Sequence, residues 1–170
     1  MRSDGLVKTF AFEQCQVVVR EELGLSATVD SAIDLGWYVW PSAVTLATFL
    51  SKQPQLVISK RVLELGAGTA LPGLLAAKLG ATHVLLTDKN PDDLTVAQQG
   101  IALNHLNPAR ITTATLTWGT TVSLGATVDV VLAADCFYDP KDFEDVVATL
   151  ASVVRANPQC VCYVAYQLRR

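Results

Sequence analysis

Val62-Leu63-Glu64-Leu65-Gly66-Ala67-Gly68-Thr69-Ala70-Leu71-Pro72-Gly73 runs from an apolar strand through a glycine-rich turn into a helix. Two glycines two positions apart after a strand let the backbone reverse tightly and come close to a ligand. The same alternation repeats outward from this unit. Hydrophobic patterning predicts strands over 61–65, 83–87, 110–116, 128–133 and 161–166, and helices over 71–79, 91–103 and 142–155. A further helix is expected from Trp40-Pro41, with Val44, Leu46, Ala47 and Leu50 on its apolar face and an end near Ser51. Near the N-terminus, 10–20 mixes aromatic and β-branched residues with charges, the composition of a hairpin. We therefore read 1–35 as an N-terminal strand or hairpin extension and 36–170 as a single core. Near-continuous apolar strands alternating with helices specify an α/β fold, a mostly parallel sheet with helices on each side.

Composition narrows the function classes. The chain has 170 residues, and single cores close at roughly 100–200 residues, so one domain is expected. Apolar residues make up 51% and charged residues only 17%, so much of the chain must be buried. Its longest apolar run, 128–134, is interrupted by Asp129 and is too short to span a bilayer. Nor does the N-terminus read as a secretory signal, which makes a cytoplasmic or nuclear protein the expectation. With a net charge of −3 and no dense basic cluster apart from the terminal Arg169-Arg170, direct nucleic-acid binding is disfavoured, and a basic protein partner suits the acidic balance better. Cys15, Cys136, Cys160 and Cys162 show no C-x-x-C spacing, so buried free thiols are expected and no metal site.

The turn points to a cationic ligand. A dinucleotide fingerprint would need a third glycine at position 71, which is Leu71, and would seat a pyrophosphate on the helix N-terminus. Glu64, two residues before Gly66, would repel a pyrophosphate but suits an ammonium or sulfonium. S-adenosyl-L-methionine (AdoMet) carries both cations. Asp88 ends the second core strand roughly 20 residues past the turn, where an acidic residue grips ribose hydroxyls. Asp88 also precedes a helix, but Asn90 can serve as that helix cap and leave the carboxylate to the ribose.

Several motifs in register carry a resemblance. Tyr38-Val39-Trp40-Pro41, Glu64-Leu65-Gly66-Ala67-Gly68 with Leu71-Pro72-Gly73, Asp88, Leu116-Thr117-Trp118-Gly119 and Asp135-Cys136-Phe137-Tyr138 together resemble the seven-β-strand (class I) AdoMet-dependent methyltransferases, in the group that methylates protein lysine and arginine. The resemblance covers 36–169. It implies a Rossmann-like three-layer sandwich and AdoMet as cofactor, held by Trp40, Gly66, Ala67, Gly68, Asp88, Trp118 and Ala134 together with Glu64. It also implies that Asp135 and Tyr138 face the transferred methyl group, with a protein as substrate. Such domains continue past the fifth strand with a helix and an antiparallel strand pair, so a sheet without the last two of seven strands is expected here.

The residues support that chemistry on their own terms. Asp135, beside Ala134 at the end of a buried apolar strand, lies where open sheets place ligand-binding groups, and a carboxylate there is costly to bury without a role. It can orient a cationic acceptor, and Tyr138 offers a hydroxyl and an aromatic face. Asp139 could add a second carboxylate, although Asp before Pro more often caps a helix. Asn104 is expected to close its helix in a left-handed conformation, and His83 and His105 to be solvent-facing or structural rather than catalytic. Trp40 and Trp118 read as core aromatics on composition and as cofactor contacts in their motifs. Three other readings stay open. One is a non-catalytic AdoMet-binding interaction module, and another is a small-molecule methyltransferase. The third, a nicotinamide oxidoreductase, is disfavoured by Glu64 and Leu71.

Overall fold

Strand β3 (Arg61–Leu65) sits at the centre of the sheet, and its alternating side chains divide the core in two. The computed structural model describes residues 6–21, 35–120 and 127–168. Val62 faces a cluster built with α1 (Pro41–Lys52), α2 (Leu71–Lys78) and α3 (Pro91–Leu103). Leu63 and Leu65 face the opposite cluster, which includes Val146 and Val153 of α4 (Phe143–Ala156). Helix α2 is buried from Leu71 to Ala76, whereas α4 hides Val146, Thr149 and Val153 and leaves Val147 exposed. A helix sandwiched between the sheet and its neighbours is apolar all round, and one at the surface keeps a polar face.

The sheet has five parallel strands in the order β5-β4-β3-β6-β7, with β4 at His83–Asp88, β5 at Ile111–Thr115, β6 at Val130–Ala134 and β7 at Val161–Ala165. The chain runs outward through β4 and β5 and then returns to start β6 on the other side of β3. That reversal opens a crevice at the C-terminal ends of β3 and β6, the position at which open α/β sheets bind ligands. This is the expected Rossmann-like architecture. Core elements begin and end within a few residues of their predicted bounds. Strand β6 differs most, beginning at Val130 rather than at 128, and a 3-10 turn at Pro140–Asp142 precedes α4.

The N-terminal residues form an antiparallel hairpin, β1 (Leu6–Ala11) with β2 (Gln16–Glu21). It packs into the core through Val17 and Val19, both fully buried. Asn104 clasps it: Oδ1 accepts the Val18 N–H at 2.9 Å, and Nδ2 donates to the carbonyls of Val18 at 2.6 Å and Gly100 at 2.8 Å. The left-handed helix end expected at Asn104 is therefore displaced by one residue. Asn104 has φ −92°, and it is His105 that takes φ +54°. A side chain engaged on both sides of a strand residue outweighs the local preference of Asn for a left-handed cap.

Of the four cysteines, only Cys136 is buried, and the other three are half-buried free thiols. His83 meets the Thr112 hydroxyl at 3.3 Å across two strands. Arg169-Arg170 lies outside the described residues. Among the described residues no helix is long and apolar enough to cross a membrane, and no group of three or more His, Cys, Asp or Glu could hold a metal.

Candidate functional site

The turn after β3 is built for close approach. Gly66 and Gly68 have φ of +59° and +48°, and side chains would be obstructed at both. A Cβ on Gly68 would stand 2.7 Å from the Gly36 carbonyl oxygen, and one on Gly66 would stand 3.1 Å from the Trp118 ring. Beyond the turn, Ala70 enters α2 with φ +60° and no side-chain cap. The cap comes from β3 instead, because Glu64 Oε2 accepts the Gly73 N–H in the first turn of α2 at 2.9 Å. A side chain on Gly73 would collide with that carboxylate. Glu64 thus occupies the helix N-terminus on which a pyrophosphate would rest, and Leu71, fully buried, fills the place of the absent glycine.

Around this turn lies a cavity of about 500 Å³, within the range of pockets that enclose cofactor-sized ligands. All ten residues anticipated from sequence line it: Trp40, Glu64, Gly66, Ala67, Gly68, Asp88, Trp118, Ala134, Asp135 and Tyr138. Asp88 enters from the end of β4, its Oδ2 accepting the Gly68 N–H at 3.1 Å and its Oδ1 the Asn90 N–H at 3.2 Å. Asn90 does cap α3, its Oδ1 accepting the Asp92 N–H at 3.0 Å. A carboxylate has about four acceptor positions, so Asp88 retains capacity for a hydroxyl pair. Trp118 is steadied by its neighbour Gly119, whose N–H reaches the Asp145 carbonyl at 3.1 Å and the buried Thr149 hydroxyl at 2.9 Å. Tyr38 and Trp40 meet edge to face at 5.1 Å.

Asp135 follows β6 with φ +59° and is 6% exposed. Its N–H donates to the Ala165 carbonyl at 2.7 Å, so the neighbouring strand β7 fixes where it points. Left-handed backbone at a non-glycine residue is tolerated best by Asn and Asp, and it clusters at functional sites. Asp139 takes the helix-capping course: it accepts the Lys141 N–H at 3.1 Å and pairs with the Lys141 ammonium at 2.6 Å, which holds its carboxyl below the usual range. Gly36, Asp93 and Cys136 also line the cavity and were not anticipated. Asp93 reads in sequence as an ordinary first-turn helix acid, and nothing local shows that its carboxyl packs against Gly36.

The electrostatics are one-sided. Burial first, and then the charge of Asp88, push Glu64 up to about 8 against the helping hydrogen bond from Gly73. Burial likewise raises Asp88. The Cys136 thiol, in the cavity floor, is pushed up by burial and then by Glu64, Asp88 and Asp135 together. Burial is the largest cause of each shift, so these groups resist ionising in the empty site, and a cation placed among them would favour their charged forms.

This has a consequence for stability. A carboxyl whose folded pKa lies near 8, above its ordinary 4.5, contributes stability that is complete below the ordinary value and is lost as pH rises through 8. Glu64→Gln, measured without ligand, should therefore gain on the unaltered protein by about 2–4 kcal/mol between about pH 5 and about pH 8.5. Differential scanning calorimetry across that range checks this, and a pH-independent difference would contradict the ionisation behaviour of Glu64.

Comparison with known proteins then decides the family. The model of a family described as lysine methyltransferase matches residues 19–170. The chain belongs to the lysine methyltransferase family. It is 40% identical over 138 residues to the human histone-arginine methyltransferase METTL23, covering 78% of this chain and 70% of that protein. Methyltransferase-like protein 23 of Dictyostelium discoideum is 28% identical, covering 92% of this chain and 71% of its own length. The protein-lysine N-methyltransferase EFM3 of Chaetomium thermophilum is 34% identical, covering 72% and 40%. Rat and mouse histone-arginine methyltransferases METTL23 are covered over 62% and 55% of their lengths, so this chain spans well short of the full relatives it matches. In fold, the family member resembles the ribosomal protein L11 methylase of Lactobacillus delbrueckii subsp. bulgaricus, with TM-score 0.56 and 22% identity, covering 75% of this chain and 61% of that one. It also resembles the Trypanosoma brucei PRMT1 enzyme-prozyme complex with AdoHcy, with TM-score 0.56 and 20% identity, covering 71% and 38%.

Proposed function

We propose that this chain transfers a methyl group from AdoMet to a side-chain nitrogen of a protein, with histone arginine as the first acceptor to test. The observation that carries this reading is the convergence of Glu64, Asp88 and Asp135 on one cavity at the switch point of the sheet, three acidic side chains that a bound cation would draw into their charged forms. AdoMet is cationic at its ammonium and sulfonium, and a lysine or arginine acceptor is cationic as well. Relatives named as histone-arginine and protein-lysine methyltransferases support a protein acceptor. A histone acceptor would put the protein's work in the cytoplasm or nucleus.

Bound AdoMet supplies an electrophilic methyl group on a sulfonium for in-line attack by a nitrogen lone pair, so the protein's task is alignment and exclusion of water. Asp88 would grip the ribose hydroxyls, Trp40 and Trp118 would wall the cofactor, and the 66–68 loop and Glu64 would receive its amino-acid portion. Asp135 and Tyr138 would hold the acceptor nitrogen, the phenol by hydrogen bonding and by its ring face and the carboxylate by charge and as acceptor of the proton that the nitrogen gives up to expose its lone pair. An oxidised or reduced nicotinamide dinucleotide fits poorly, because Glu64 stands where its pyrophosphate would rest.

Isothermal titration with AdoMet and, separately, with NADH tests the cofactor, and methyl transfer to histone and other basic peptides tests the reaction. Micromolar AdoMet binding without an NADH signal, followed by transfer, is the expected result. AdoMet binding with no transfer to any peptide would favour the non-catalytic module, and NADH binding would overturn the reading.

A further inference from the structure

A buried carboxylate that does not line the cavity ties the N-terminal hairpin to the cavity wall. Glu21, the last residue of β2, is fully buried. Its Oε1 accepts the N–H of Val39 at 2.8 Å, and its Oε2 pairs with the Lys8 ammonium of β1 at 2.5 Å. That ammonium also stands 5.8 Å from the centre of the Tyr38 ring. Tyr38 in turn meets Trp40 edge to face, and both line the cavity. Two residues before Tyr38, Gly36 presents its carbonyl to the Gly68 turn. Segment 36–40 is therefore a wall with the cavity on one side and the hairpin on the other.

The wall is short of internal support. Residues 38–40 belong to no helix or strand, so no regular ladder holds their backbone. Val39 is itself buried, and its N–H would be orphaned without Glu21. An apolar side chain could fill the same volume without the cost of desolvating a carboxylate, but it could not accept that N–H. What the carboxylate adds is direction, since it fixes one backbone group between two cavity-lining aromatics.

We propose that Glu21 is a positioning residue for the cofactor site, acting through the Val39 N–H to hold Tyr38 and Trp40 against the cavity and so coupling docking of the hairpin to cofactor binding. The inference rests on the AdoMet reading above. Coupling of this kind is reciprocal: a docked hairpin tightens the cofactor, and the cofactor stabilises the docked hairpin by the same factor.

The test compares Glu21→Leu, which removes the acceptor, with Glu21→Gln, which keeps a carbonyl for Val39. Val153→Ala, in the cluster behind α4 on the opposite face of the sheet, serves as a control of lowered stability. Glu21→Leu should weaken AdoMet by about tenfold or more, with kcat at saturating AdoMet within about twofold, because preorganisation governs binding and not the transfer itself. Glu21→Gln should restore affinity to within about threefold, and Val153→Ala should leave it unchanged. A Glu21→Leu chain that loses no more affinity than Val153→Ala overturns the proposal. Should Glu21→Leu not fold, hydrogen exchange on the unaltered chain decides: AdoMet should slow exchange at Val39 and along β1 and β2 together, and slowing confined to the 66–68 turn and Asp88 overturns it. An unaltered chain that binds no AdoMet overturns the cofactor reading and this proposal with it, whereas normal binding with an indifferent Glu21→Leu overturns this proposal alone.

Discussion

Asp88→Asn should bind AdoMet at least about 100-fold more weakly than the unaltered chain while melting within a few degrees of it. The substitution keeps an oxygen for the Gly68 N–H, so the turn should hold its shape, and gives up only the longer contact with the Asn90 N–H. What it removes is the charge behind two hydroxyl contacts in a site only 9% exposed. Hydrogen bonds to a charged group contribute about 1.5–3 kcal/mol each, and losing a pair of them corresponds to the stated factor or more. Stability should change little, because the lost contact with the Asn90 N–H is offset by relief of the ionisation cost that burial imposes on the Asp88 carboxylate. Titration calorimetry beside a melting curve separates the two effects. Affinity within a few-fold of normal would remove Asp88 from the ribose.

The second large effect falls on the transfer step and leaves binding alone. Asp135→Asn should keep AdoMet affinity within about threefold and lower kcat by about 10²–10⁴, the usual worth of one charged or proton-handling group in the transition state. Asn is the appropriate replacement because it accepts φ +59°, whereas Ala would add backbone strain to the loss of charge. The geometry explains why the two carboxylates divide the work. Asp88 is folded back onto the glycine turn, while Asp135 is aimed by its own strained backbone and by the tie to Ala165. Equal loss of AdoMet binding in both variants would refute that division.

The Glu64→Gln and Asp88→Asn measurements also inform each other. Both carboxyls are raised by burial, and Asp88 adds to the rise at Glu64. Neutralising Asp88 should therefore move the pH at which Glu64 ionises downward, and cofactor binding should do the same by placing positive charge between them.

Much of this was legible in the chain itself. Arg61–Leu65, Pro91–Leu103 and the beginnings of β4 and β7 follow from apolar runs cut by Gly, Pro and Asn, because strands buried on both faces and helices packed on them leave that periodicity wherever they occur. Glu64, the 66–68 turn, Asp88 and Asp135 were legible for a related reason, since ligand-binding groups of an open sheet sit at strand ends and in the turns that follow, whereas Trp40, Trp118 and Ala134 were reached only through the resemblance their motifs carry. Asn104 shows the limit, since its hydrogen bonds to Val18 override a reading drawn from its immediate neighbours. So does Glu64, whose bond to Gly73 explains at once why that residue is glycine and why the helix carries no other cap.

What the sequence by itself determined was the α/β alternation, the glycine turn and the acidic residues at strand ends, all properties of residues close together in the chain. Only the tertiary structure decided that Asp93 and Cys136 join the cavity, and that Glu21 reaches Val39 from behind the wall. Those relations depend on which distant segments a buried side chain meets, and neither period nor spacing encodes that; the partner of a desolvated carboxylate is selected by the packing that removes its water.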